Sequence, residues 1–124
     1  MKTKPFLLGL FLIGGLIGTQ AAQFEDFTYK SNGGIVTITG YTGGGGAVII
    51  PETITGVPVT IIGPGAFQGS TGLTSVTIPN NVTSLRTSAF SGCTGLTSAT
   101  IGNGVTAIGD SAFANCAGLT SITI

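Results

Sequence analysis

The second half of the chain repeats itself every 23 residues, and this period restricts the fold more than any other feature of the sequence. Ile62-Gly63-Pro64-Gly65-Ala66-Phe67 aligns with Leu85-Arg86-Thr87-Ser88-Ala89-Phe90 and with Ile108-Gly109-Asp110-Ser111-Ala112-Phe113. The register continues through Leu73, Leu96 and Leu119, through Ile78, Ile101 and Ile124, and through Val82 and Val105. Ser70, Cys93 and Cys116 share one position, and Gly72, Gly95 and Gly118 each precede Leu-Thr-Ser. A fixed period of this length, with apolar residues at fixed offsets, predicts a solenoid of stacked coils.

Each unit predicts the same local structure. In Leu73-Thr74-Ser75-Val76-Thr77-Ile78 the last three residues alternate in, out, in, as a half-buried strand does. Pro79-Asn80-Asn81 and Gly102-Asn103-Gly104 break the strand with turn residues. A second apolar pair follows, and the Ala-Phe stretch after it reads as one helical turn with Thr, Ser or Asp110 as its N-cap. One coil buries too few side chains to offset the entropy of ordering its backbone, so stability must come from stacking. Phe67, Phe90 and Phe113 predict one buried column, and Leu73, Leu96 and Leu119 another.

Residues 23–61 differ. Phe24 to Tyr29, a Lys30-Ser31-Asn32-Gly33-Gly34 turn and the strand Ile35 to Tyr41 have the signature of a β-hairpin. Gly43 to Gly46 reads as a flexible loop and not a phosphate cradle, because a strand and not a helix follows it. Ile50-Pro51 echoes Ile78-Pro79, which makes residues 47–61 a degenerate first coil with about five extra residues. The expected organisation is therefore a hairpin cap over 23–46 and a solenoid over 47–124, with units 62–84, 85–107 and an incomplete 108–124. The chain stops on a strand at Ile124 with no polar cap, which reads as a fragment of a longer protein.

Residues 1–22 read as a secretory signal: Lys2 and Lys4, an apolar stretch from Phe6 to Ile17, and a small-residue exit at Thr19-Gln20-Ala21-Ala22. Cleavage after Ala21 fits best, and no later run is long enough to span a membrane. The remaining ionisable side chains are then two bases, Lys30 and Arg86, and four acids, Glu25, Asp26, Glu52 and Asp110, a net charge of −2. No basic patch exists for nucleic acid. Cys93 and Cys116 sit one coil apart, within the Cα range of a disulfide, but their side chains should point inward in parallel. Two buried thiols are favoured over a bridge.

With these residues in view, the chain resembles the BspA-like subclass of bacterial leucine-rich repeats. Ile108, Gly109, Ala112, Phe113, Cys116, Leu119, Ile122 and Ile124 match its pattern, and Ile50-Pro51-Glu52-Thr53-Ile54-Thr55-Gly56-Val57-Pro58-Val59 resembles its usual first coil. The resemblance covers about residues 47–124. It implies a leucine-rich-repeat right-handed solenoid of short β-strands with one helical turn per repeat and the hairpin cap. It also implies an exported or surface protein, in a family where several members are adhesins for host or matrix proteins. Ser70, Arg86, Ala99 and Gly102 depart from the pattern without threatening the fold.

The chain has no His, its carboxylates are scattered, and neither Cys has a base partner, so no catalytic, cofactor or metal site is expected and the chain reads as a non-enzyme. The candidate binding face is the outward side of the strands: Thr74, Ser75, Thr77, Thr97, Ser98, Thr100, Thr120, Ser121 and Thr123. A protein-binding module acting in adhesion is the first reading. A spacer or display segment of a longer repeat protein, with no ligand of its own, is the alternative. An ice-binding hydroxyl lattice ranks below both, since Thr is also simply a good strand former.

Overall fold

Inward residues at every second position turn each repeat into a short strand that stacks on its equivalent one coil away. In a computed structural model describing residues 24–124, the result is a strand-rich β-solenoid of about four turns. A short 3-10 helix (Phe24–Asp26) leads into β1 (Phe27–Asn32) and β2 (Ile35–Tyr41). Then follow β3 (Gly46–Ile49), β4 (Thr53–Ile54), β5 (Val57–Ile62), β6 (Leu73–Ile78), β7 (Ser84–Leu85), β8 (Ser98–Ile101), β9 (Ala107–Ile108) and β10 (Ser121–Thr123). The proposed export signal lies outside the described residues.

Two sheets run along the solenoid. One has the order β1-β2-β5-β7-β9, with β4 attached to β5; the other has the order β10-β8-β6-β3. Every pairing between coils is parallel, and antiparallel pairing occurs within the β1–β2 and β4–β5 hairpins. The register reports the repeat directly. Val76 lies beside Ala99 and Ala99 beside Ile122, but Val48 lies beside Val76, a longer step in sequence. The surplus of that first step is the β4–β5 hairpin, closed by Thr55 and Gly56 at φ 52° and 83°. These paired left-handed residues match the right-handed twist of the flanking strands.

The stretch predicted to be a single helical turn is a run of β-turns. Within Gly65–Ser70 the N–H groups of Ala66, Gln68 and Ser70 bond three residues back, as in turns. Those of Gly65, Phe67 and Gly69 instead donate to Thr87, Ala89 and Ser91 of the next coil at 2.7–3.0 Å. Left-handed residues make this alternation: Gly65, Ser88 and Ser111 at φ 58–64°, and Gly69, Gly92 and Asn115 at φ 59–75°. A helix would return every N–H to its own strand of chain. Here half of them bind the neighbouring coil, and Ser88 and Ser111 are left-handed turn residues, not N-caps.

The core is a set of columns. Leu73 and Leu96 are fully buried, as are Phe67 and Phe90, and no polar side chain is buried among the described residues. The rings of Phe67 and Phe90 stack at 4.7 Å between centroids, and those of Phe90 and Phe113 at 5.2 Å. The hairpin extends this column. Tyr41 stacks on Phe67 at 5.1 Å and Phe27 meets the same ring edge-on at 6.1 Å. Phe113 and Leu119 are half-buried, since no described coil covers their outer side.

Candidate functional site

Strands β6, β8 and β10 present three equal rungs to solvent. In-register pairing places Thr77 beside Thr100 and Thr100 beside Thr123, one row across the sheet. Ser75, Ser98 and Ser121 form a second row, two residues back along each strand. Adjacent members of a row are separated by the strand spacing of about 4.8 Å. All three threonines of the first row are exposed, while Ser75 and Ser98 are half-buried and Ser121 is exposed. Neither row contains a charged residue.

Thr74, Thr97 and Thr120 belong to a different kind of row. Thr97 Oγ1 donates to Thr74 O at 3.1 Å and Thr120 Oγ1 to Thr97 O at 3.2 Å, beside the parallel backbone bonds between the same residues. A second ladder of this type runs through Thr60, Thr83 and Thr106, whose hydroxyls reach back 3.2 and 3.4 Å to carbonyls of the previous coil. These hydroxyls hold coils together. Among the described residues the hydroxyls of Thr77, Thr100 and Thr123 have no hydrogen-bond partner, so all three are open to a ligand.

One further residue belongs to the face. Ile49 pairs with Thr77 and is 54% exposed, and Ala47 pairs with Ser75. The outer row therefore reads Ile49, Thr77, Thr100, Thr123. The echo of Ile50-Pro51 in Ile78-Pro79 carries this information, since it places Ile49 at the position of Thr77.

Elsewhere the chemistry is sparse. Cys93 and Cys116 are free thiols, and each Sγ donates at 3.1 Å to a carbonyl of the preceding coil, Phe67 O and Phe90 O. Burial pushes the Cys93 thiol up to about 11, which keeps it protonated at neutral pH. Among the described residues no group of three or more His, Cys, Asp or Glu could hold a metal ion. None of the described helices is long and apolar enough to cross a membrane. The glycine run read as a flexible loop is pinned: Gly45 N–H donates to the Tyr41 hydroxyl at 2.9 Å and Gly46 N–H to Gly72 O at 2.8 Å. A Cβ on Gly45 would collide with the Gly72 backbone, so this position needs glycine for its close approach as well as for its φ of 99°.

The BspA type Leucine rich repeat region matches residues 48–124, in six copies. The chain belongs to this family. Solved structures are similar to it, among them three bacterial leucine-rich-repeat proteins. A leucine-rich-repeat protein from Bacteroides capillosus is 30% identical, with a TM-score of 0.74 over 80% of this chain and 78% of that one. A leucine rich cell surface protein from Faecalibacterium prausnitzii is 34% identical, with a TM-score of 0.72 over 85% of this chain and 30% of that one. The T. pallidum leucine-rich-repeat protein is 25% identical, with a TM-score of 0.59 over 83% of this chain and 71% of that one. No curated protein sequence matches the chain. As a BspA-type repeat, the chain falls among proteins whose roles are binding or structural. Its strand face has the regularity a binding role needs but lacks the aromatic and arginine anchors that concentrate binding energy.

Proposed function

We propose that this chain is an exported, non-enzymatic binding module that contacts a protein partner through the exposed face of β6, β8 and β10, as a surface adhesin does. The observation that carries the reading is the row of Thr77, Thr100 and Thr123, whose hydroxyls have no partner among the described residues. Ile49 extends the row, and Ser75, Ser98 and Ser121 flank it. Thr74, Thr97 and Thr120 border the same face, and the hydroxyls of Thr97 and Thr120 are bonded to the preceding coil. The named surface location of one structural neighbour supports export, as does the signal pattern of residues 1–22. No cofactor is part of this reading.

Each rung offers few strong contacts, so affinity must accumulate over several coils. The test is binding of the purified protein to immobilised extracellular-matrix proteins, compared with Thr77→Glu, Thr100→Glu and the double variant. Charge placed in the row should abolish binding while the melting temperature holds. Binding that survives both changes but is lost on altering residues 24–46 would transfer the site to the cap. Mass spectrometry of exported material should find Ala22 or Gln23 at its N-terminus; an intact Met1 in the cytosol would sink the localisation. The uncharged, anchor-poor face favours a second reading, a spacer within a larger repeat protein, and absence of binding to any matrix protein would support it.

A further inference from the structure

Two Asn-Gly pairs occur in the sequence, Asn32-Gly33 and Asn103-Gly104. In this dipeptide the backbone nitrogen after the asparagine can reach the asparagine Cγ with least hindrance, because glycine has no Cβ. The fold treats the two pairs differently. Asn32 ends β1, is exposed, and pairs with Ile35 across the tip of the cap hairpin. Gly33 and Gly34 hold φ of 63° and 82°, nothing lies within 4 Å of where their Cβ atoms would stand, and the Gly33 N–H makes no backbone hydrogen bond. This nitrogen is unhindered and stands at an exposed hairpin tip.

Asn103-Gly104 lies against the coil before it. The Asn103 N–H donates to Asn80 Oδ1 at 2.9 Å. A Cβ on Gly104 would collide with Asn80 O and stand 3.1 Å from Val82 O. Swinging the Gly104 nitrogen toward the Asn103 amide would break that bond and drive the backbone into the neighbouring turn.

We infer that Asn32 is a site of spontaneous deamidation and that the preceding coil protects Asn103 from the same reaction. The Gly33 nitrogen attacks Asn32 Cγ. A new N–Cγ bond forms, the bond from Cγ to Nδ2 breaks, and the amide leaves as ammonia carrying the former Gly33 proton. Water then opens the cyclic imide at Cγ, giving aspartate, or at the backbone carbonyl, giving isoaspartate. One water is consumed, one ammonia is released, and no electrons are transferred. Both products place a carboxylate in the groove of about 410 Å³ that Asn32 lines with Lys30, Ile35, Thr37 and Pro64. The isoaspartyl form also lengthens the backbone at the turn, which loosens the Asn32–Ile35 pair that closes the hairpin. The cap thus acquires a time-dependent negative charge beside Lys30, remote in sequence from β6, β8 and β10.

The experiment incubates the full-length protein, warm and mildly alkaline, followed by digestion and mass spectrometry. The peptide carrying Asn32 should gain the mass difference between NH2 and OH and split into two chromatographic species. The peptide carrying Asn103 should be unchanged when half of Asn32 has converted. In denaturing urea the two sites should convert at comparable rates, which assigns the protection to the fold. Asn32→Gln should remove the modification from the cap. Conversion of Asn103 as fast as Asn32 in the folded protein, or of Asn32 no faster than Asn80, Asn81 and Asn115, overturns the inference. A rate ratio unchanged by urea overturns the protection of Asn103.

Discussion

The first coil and the last described coil carry equivalent residues in opposite surroundings. At the first end, β2 pairs with β5, and Phe27 and Tyr41 lay their rings against Phe67, so Val59, Ile62 and Phe67 are fully buried. At the other end Ile108 is 50% exposed, although Leu85, its equivalent one coil earlier, is 1% exposed. Ile122 is 46% exposed where Ala99 is 1%. Burial in a solenoid therefore belongs to the neighbour and not to the motif, and the same substitution should have different effects in different coils.

The largest expected contrast is along the ring column. Phe90→Ala removes a ring stacked on both sides and should cost about 3–5 kcal/mol through the cavity it leaves. Phe113→Ala, with one stacked neighbour and a half-buried ring, should cost roughly half of that. Thermal or urea melts of the two variants decide it, and equal losses would break the comparison. Next is the cap. Tyr41→Ala loses the stack on Phe67 and the bond from Gly45 N–H, for about 2–3 kcal/mol, and the β1–β2 amides should then exchange with solvent sooner than those of β6 and β8.

The thiols provide a third contrast, read through pH. Cys93 ionises at about 11 when folded against 9.0 for an ordinary cysteine, because burial disfavours the thiolate. A raised folded value means the stabilisation is complete below pH 9 and is lost as pH rises toward 11. The melting temperature should fall across that window, and Cys93→Ser should flatten this part of the fall. In the native state at about pH 8, alkylation should label Cys116, which is half-buried, well before Cys93. Equal labelling of both would place Cys93 nearer the surface than the structure does.

The smallest effect separates the two kinds of threonine. Thr97→Val removes a hydroxyl bonded to Thr74 O and should cost about 0.5–1 kcal/mol. Thr77→Val and Thr100→Val together should stay within about 0.5 kcal/mol, because neither hydroxyl has a partner among the described residues. A denaturant series on both variants would show it, and equal costs would erase the distinction between ladder and face.

Much of this architecture was legible from the repeat itself. The columns at Leu73, Phe67 and Ile78 follow from spacing alone, because any stacked coil of this period must bring equal positions together. What the period could not determine was where hydrogen bonds crossed from coil to coil. The Ala-Phe stretch has the length of a helical turn, and local propensity cannot distinguish that from turns whose alternate N–H groups bond a residue 22 positions away, as Phe67 does with Ala89. Thr97 and Thr100 likewise look equivalent in sequence, yet the hydroxyl of Thr97 bonds the preceding coil and that of Thr100 has no partner among the described residues. Tyr41 lies outside the repeat, so only the folded hairpin places its ring on Phe67. The sequence by itself determined the stack and its inward columns, since both depend on period and hydrophobicity. Tertiary structure decided the turns, the cap contacts and the available hydroxyls, since each depends on a hydrogen bond or ring contact between residues distant in sequence.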